Sequence, residues 1–267
     1  MEASTFNRFR SIVYEHSGIA LGEGKEALVS ARIGKRLRAL NIADHKAYLK
    51  YVEQDASGEE IVQLLDAIST NVTHFFREPA HFDFVKETVA VWAGQGQTRM
   101  RFWSAACSTG EEPYSLAITL REALGARGAD AKILATDIST RVLSAARSGV
   151  FESDKLKNVA PALREKYFRP VEGHPHGRIA REELRNMMVF RRMNLAKPPF
   201  PMRGPLDIVF CRNVMIYFDN DVRKALLNEI LRLLKPGGYL IVGHAESLTG
   251  MIADLKAVRP SIYVKNR

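Results

Sequence analysis

Phe102-Trp103-Ser104-Ala105-Ala106-Cys107-Ser108-Thr109-Gly110-Glu111-Glu112-Pro113 reads as a strand that runs into a tight turn of small residues and then into the start of a helix. In a doubly wound sheet this is where a nucleotide-like cofactor comes against the backbone, at the carboxyl ends of the strands. Small residues are needed because a side chain would fill the cofactor's space. The turn is not GxGxxG, and Glu111 and Glu112 repel the pyrophosphate that a helix N-terminus would otherwise attract. An acidic turn suits a cofactor that carries positive charge. Taken alone, the segment also fits an ordinary strand-to-helix turn with acids favoured in the first helical turn.

Working outward, the next strand ends at Asp137, in Ala135-Thr136-Asp137-Ile138, about 25 residues past the turn. An acid at the end of the second strand can accept both ribose hydroxyls of an adenosine. A helix cap is the alternative, since Asp137 and Ser139 are both capping types. Leu206 to Phe218 reads as a fourth strand running out into the same crevice, which stands Asn213 and Tyr217 over the site; a core aromatic is the alternative for Tyr217. The Asn-Pro-Pro-Tyr tetrad that suits amine acceptors is missing at this point, and Pro198-Pro199-Phe200 is more simply a loop.

Short apolar runs at Met100–Ala105, Ile133–Thr136, Ile208–Cys211 and Tyr239–Val242 alternate with amphipathic stretches at Tyr114–Leu124 and Val222–Leu234. Strands alternating with helices predict an α/β fold, a mainly parallel sheet with helices on both faces. Pro236-Gly237-Gly238 is expected to end a helix and turn the chain into the next strand. Between about 167 and 190 a polar stretch around His174-Pro175-His176 interrupts the alternation, which predicts a small antiparallel insertion. Before Ala80 the pattern is helical, with Phe6, Phe9, Ile12 and Val13, then Ile61, Leu64, Leu65 and Ile68, at three- and four-residue spacing. Two domains follow, 1–80 helical and 81–267 α/β. On the helix from Lys25 to Leu40, Val29, Ile33, Leu37 and Leu40 form an apolar stripe, with Lys25, Arg32, Lys35 and Arg36 beside it.

The 267 residues are 46% apolar, enough for one large and one small core, and no stretch approaches the roughly 18 uninterrupted apolar residues of a spanning helix. With no leader-like run before His16, a cytoplasmic protein is expected. Cys107 and Cys211 are read as reduced thiols, and no metal site is expected, because His174 and His176 have no partner at ligand spacing. The net charge of +9 favours an acidic partner without naming its class.

These segments, in this order, resemble the CheR family of chemotaxis receptor methyltransferases. The resemblance runs from about Phe6 to Tyr263 and rests on Thr70-Asn71-Val72-Thr73-His74-Phe75-Phe76-Arg77-Glu78, Trp103 to Tyr114 and Cys211 to Tyr217, with Gly243-His244-Ala245-Glu246-Ser247 as a further block. It implies a class I methyltransferase Rossmann-like sheet, preceded by a small all-helical domain and carrying the β insertion. It implies a protein-glutamate O-methyltransferase that uses S-adenosylmethionine, releases S-adenosylhomocysteine and forms glutamyl methyl esters on chemoreceptors. Carried over, Asn71, Thr73, Arg77, Glu112, Asp137, Asn194, Leu195, Arg212 and Asn213 contact the cofactor, with Glu111 an alternative to Glu112. Arg77 and Tyr217 stand nearest the transferred methyl and the acceptor carboxylate. Lys25, Arg32, Lys35 and Arg36 face the receptor's acidic methylation helices, and the insertion offers a place for the receptor or its C-terminal tail. Neither nucleic acid nor membrane insertion is expected. An RNA methyltransferase and a catalytically silent S-adenosylmethionine sensor are the competing functions.

Overall fold

Aromatic and branched side chains at helical spacing close the first unit in a computed structural model that describes residues 1–125, 130–248 and 250–266. Helices α1 (Ala3–Ser17), α2 (Glu26–Leu40), α3 (His45–Gln54) and α4 (Glu59–Ile68) enclose Phe6, Phe9, Val29, Ile33, Tyr48, Leu64 and Ile68. Asp44 caps α3 by accepting from Ala47 N–H. Gly18 ends α1 at φ +71°, and a Cβ there would lie 2.4 Å from Ala196 Cβ, so glycine lets α1 dock on the α/β unit. The core of this unit ends at Ile68. Residue 80, the expected boundary, is the first of α5 (Ala80–Gly94), which packs Phe82, Phe84, Val85 and Val89 on the sheet.

The α/β unit continues through β1 (Arg99–Ala105), α6 (Glu111–Leu124), β2 (Asp130–Asp137) and α7 (Thr140–Ser148). Strand residues alternate between the two faces. Phe102, Ile133, Ile208, Phe210 and Ile241 face the core under α5 and α6, whereas Trp103, Val209, Cys211, Leu240 and Val242 face the other. Burial on both faces is why these strands read as continuous apolar runs.

The insertion departs earlier than the expected 167–190. β3 (Val150–Glu152) leaves straight after α7, a 3₁₀ turn at Ser153–Asn158 and α8 (Pro161–Tyr167) follow, and β4 (Phe168–Val171) and β5 (His174–Ala180) complete an antiparallel sheet in the order β3-β5-β4. After α9 (Glu182–Arg185), β6 (Met188–Arg192) pairs in parallel with β2, so Met188 to Phe190 belong to the main sheet and not to the insertion. A three-residue strand such as β3 is too short to show a period.

β7 (Leu206–Cys211), a 3₁₀ turn at Met215–Tyr217, α10 (Asn220–Leu233), β8 (Leu234–Ile241), β9 (Leu255–Arg259) and β10 (Ile262–Lys265) complete a seven-stranded sheet in the order β6-β2-β1-β7-β8-β10-β9. The α10 face carries Leu226, Leu227, Ile230 and Leu233. Pro236-Gly237-Gly238 is not the turn out of the helix: α10 has already ended, and the three residues sit inside β8, where the pairing with β7 shifts and Gly237 takes φ +73°. The strand order reverses between β1 and β7, the switch point outside which α/β sheets hold ligands. Among the described residues no helix is long and apolar enough to cross a membrane.

Candidate active site

A cleft of about 450 Å³ opens between the helical unit and the carboxyl ends of β1, β2 and β7, within the range of small-molecule sites. Its wall starts at the turn after β1, where Ala106 and Ser108 are left-handed at φ +62° and +49°. Gly110, at φ +102°, lets α6 start against α7, since a Cβ would meet Ala146 Cβ at 3.0 Å. Such angles cost non-glycine residues about 1–2 kcal/mol each, and the turn is held to them by Cys107 N–H donating to Thr136 at 2.8 Å and Ser108 N–H donating to Asp137 Oδ2 at 2.9 Å.

Asp137 is not the cap of α7. Ser139 is, accepting from Val142 N–H at 3.3 Å, while the other Asp137 oxygen accepts from Ser139 N–H at 3.0 Å. Each oxygen thus spends one lone pair on the backbone and keeps another for a ligand. Burial raises the Asp137 pKa despite those hydrogen bonds. Glu112 lines the cleft; Glu111 is fully buried and points to Lys155, 2.7 Å away, so of the two glutamates Glu112 is at the site.

Arg212, just past β7, ties three segments together. Its guanidinium reaches Glu112 and Glu78 at 3.0 Å each, donates to the Arg77 carbonyl, and lies over the Phe82 and Phe210 rings. Only 1% of its side chain is exposed. Glu112 also accepts from Ser104 Oγ at 2.7 Å. Burial raises the Glu112 pKa even beside Arg212, whereas at Glu78 burial, the largest single effect, is outweighed by the Arg212 charge together with hydrogen bonds from Arg212 and the His244 N–H, and the net shift is downward. Burial and Arg212 together press His81 down to about 4.

The segment after Arg212 is held by a residue the sequence reading gave no role. Glu246 is buried, and its carboxylate accepts from Asn213 N–H at 2.6 Å, Gly243 N–H at 2.8 Å, Met215 N–H at 2.8 Å and Ile216 N–H at 3.3 Å. This holds Asn213 at φ +57° and sets Tyr217 on the cleft. Among the described residues the Tyr217 hydroxyl has no hydrogen-bond partner, while its carbonyl accepts from Ala20 N–H at 2.8 Å. Glu246 lies in the 243–247 block, but nothing in a single chain says that a glutamate there will be buried under a loop thirty residues earlier.

Residues 69–73 and Arg77 form another wall. Ser108 Oγ donates to the Asn71 carbonyl at 3.2 Å, Phe76 N–H donates to Ser115 Oγ at 2.9 Å, and Arg77 donates to Val72 O at 3.1 Å. Asn71, Thr73, Arg77, Asn194 and Leu195 all line the cleft. The Asn194 amide is already used, donating to His16 O at 2.8 Å and accepting from Ala196 N–H at 3.0 Å.

The four basic residues of α2 and its cap part company. Lys25 and Arg32 line the cleft, Arg32 also donating to Ile68 O and, at 3.0 Å, to Thr70 Oγ1. Lys35 and Arg36 do not. Arg36 grips the buried Glu60 through two bonds of 2.9 and 2.6 Å, and Tyr48 donates to the same carboxylate at 2.6 Å, so Arg36 is a strut of the helical core and not part of the expected acidic-partner face. Helical spacing places it on the basic arc without revealing that α4 sets a glutamate beside it. Arg36→Ala is expected to cost about 3 kcal/mol or more, because a buried charge loses its partner; an unshifted melting temperature would contradict this.

Cys107 and Cys211 are both buried and free, and burial raises both thiols well above their ordinary pKa. Among the described residues, Glu78, His81 and His244 gather ligand-type atoms within 4.8 Å of one another, a cluster that residues so far apart in sequence do not announce. His174 instead faces Glu152 at 3.2 Å.

Against known families, residues 71–264 match the CheR methyltransferase SAM binding domain and residues 4–69 the CheR methyltransferase all-alpha domain. A chemotaxis protein methyltransferase of Salmonella typhimurium is 38% identical over 263 residues, covering 98% of this chain and 90% of the relative. One of Escherichia coli is 39% identical over 91% of this chain and 84% of its own length, and one of Borreliella burgdorferi 36% identical over 97% and 93%.

Proposed function

The chain belongs to the CheR methyltransferase family, and from that premise we propose that it transfers the methyl group of S-adenosylmethionine to glutamate side chains of bacterial chemoreceptors, in the cytoplasm, giving glutamyl methyl esters and S-adenosylhomocysteine. That it is a methyltransferase of chemotaxis follows from the family; the donor, the glutamate and the receptor are the reading argued below. The observation that carries it is one cleft whose wall holds carboxylates, Asp137 and Glu112, together with the cations Lys25, Arg32 and Arg77 and the Tyr217 hydroxyl, which is unpaired among the described residues.

The residues fit the cofactor. Asp137 has a lone pair on each oxygen for vicinal hydroxyls, the turn at Ala106 and Ser108 presents backbone instead of bulky side chains, and the two carboxylates beside that turn, Glu112 and Asp137, suit the positive charge of the sulfonium. When bound, the cofactor supplies an electrophilic methyl on sulfur. The chain's task is then to bring an acceptor oxygen up in line with it and to exclude water. A glutamate side chain has an ordinary pKa of about 4.3, so its carboxylate is already a nucleophile at neutral pH and needs no general base. Arg77 anchors carboxylate charge, and Tyr217 donates a hydrogen bond that orients the acceptor. Because the acceptor loses its charge during transfer, an arginine gripping it tightly would slow the step, which favours Arg77 on the cofactor's own carboxylate. Lys25 and Arg32 draw in acidic helices.

Tyr217→Phe is expected to lower turnover roughly 10- to 100-fold through loss of the acceptor's alignment, while changing cofactor affinity by less than about twofold. Calorimetry and initial rates separate the two, and an unchanged rate would make Tyr217 a packing residue. The whole reading is tested by transfer of radiolabelled methyl from S-adenosylmethionine to chemoreceptor-containing membranes. Label on the receptor that mild base releases as methanol supports it. Base-stable label, label on RNA instead, or cofactor binding with no transfer to any acceptor would each overturn it.

A further inference from the structure

We propose that Glu78, His81 and His244 bind one divalent transition-metal ion of the zinc class, and that the ion competes with Arg212 for the Glu78 carboxylate. His81 stands in the first turn of α5, 1% exposed, with neither ring nitrogen hydrogen-bonded in the protein. A buried imidazole without partners is costly, and buried polar groups nearly always find one. Nδ1 of His81 looks at Glu78 Oε2 from 3.4 Å without making a hydrogen bond. His244 crosses His81 edge-on, ring centroids 5.3 Å apart, and brings Nε2 to 4.0 Å from that same oxygen.

Metal–ligand bonds of about 2.0–2.2 Å in tetrahedral array set ligand atoms about 3.4 Å apart. The observed 3.4 and 4.0 Å, with all three ligand atoms within 4.8 Å, need only a small swing of His244. That swing is available because 59% of the His244 side chain is exposed, which also leaves an entry path. Two imidazole nitrogens with one carboxylate oxygen suit zinc, cobalt or nickel rather than magnesium or calcium, which take oxygen.

Oε2 of Glu78 is the shared atom, because Arg212 reaches it at 3.0 Å as well. An ion that takes Oε2 leaves the Arg212 guanidinium with Glu112 and the Arg77 carbonyl, and so loosens a wall of the cleft. Coupling between two binding events is reciprocal, so cofactor and ion then weaken each other by the same factor. The metal site stands on its own geometry; only the coupling rests on the cofactor reading above.

The test titrates the purified, chelator-treated full chain with Co²⁺, followed by its visible ligand-field absorption, and with Zn²⁺, followed by calorimetry. One equivalent is expected to bind, at least tenfold more weakly in His244→Ala and in Glu78→Gln, and unchanged in His174→Ala. His244 is exposed, so its variant folds irrespective of the outcome. Equal affinity in His244→Ala, or loss of binding in His174→Ala instead, would overturn the site. S-adenosylmethionine affinity is then measured with saturating Zn²⁺ and with chelator. Weaker binding with Zn²⁺ is expected, equal binding would overturn the competition, and no cofactor binding under either condition would sink the cofactor reading while leaving the metal site standing.

Discussion

Glu246→Gln is expected to lower methyl transfer about a hundredfold and to destabilise the protein by about 2–5 kcal/mol, although the substitution keeps side-chain size and lies outside the cleft lining. The carboxylate accepts four backbone N–H groups at the Asn213–Ile216 segment and at Gly243. Glutamine replaces one oxygen with an NH₂ that faces donors and can accept from none of them. Turning it over merely chooses which pair of N–H groups is left unpaired in a buried site, at about 1–3 kcal/mol per group. Gly243 is packed tightly at this point, since a Cβ there would run into the Asn213 amide. Asn213 then has less to hold it in its left-handed conformation, and Tyr217 loses its placement. Thermal melting and transfer rate measured together check this. A variant with ordinary melting and ordinary rate would show that the four bonds only record a loop held by its own packing.

The second large effect is expected from Arg212→Met, which keeps the aliphatic contact with Phe82 and Phe210 but strands Glu78 and Glu112 without their cation. Breaking a buried pair from one side costs about 3–5 kcal/mol, and the loss should depend on pH. In the wild type the Glu78 pKa is lowered in the folded state, so its contribution is present above the unfolded value of about 4.3 and is lost as pH falls through the folded one. The Glu112 pKa is raised, so that group disfavours folding as pH rises above the unfolded value. Without Arg212 both carboxylates are raised by burial alone, and the folded variant takes up protons before the unfolded chain does. Its deficit against the wild type is therefore largest at neutral pH and shrinks as pH is lowered toward the ordinary carboxylate range. Urea denaturation at two pH values measures this, and a deficit that stays constant or grows on acidification would mean that Arg212 is not what keeps the two glutamates charged.

Much of the site was legible because its residues sit at positions with a chemical reason. The small turn after β1, the acid ending β2 and the polar run after β7 are what a sheet needs at its switch point, and the structure gathers Glu112, Asp137, Arg212, Asn213 and Tyr217 around one cleft. Less legible was anything resting on a partner distant in sequence. Arg36 lies on the same helical arc as Arg32, yet one is taken up by Glu60 and the other reaches the cleft. The insertion's first strand hides in three residues, and β9 shows no apolar side because four of its five residues are exposed.

By itself the sequence determined the fold class and the family, because both depend on local quantities: the period of apolar residues, the turn chemistry at strand ends, and runs such as Thr70 to Glu78 that carry meaning as written. Only the tertiary structure decided which charges are neutralised and which remain free to act. Glu111 and Glu112 are neighbours in sequence, but a helix turns its side chains about 100° per residue, so one meets Lys155 and the other Arg212 at the cleft. Glu78, His81, Arg212 and Glu246 come together from three separate segments, and the strength of their interactions comes from removal from water, a property that burial confers and that no local pattern records.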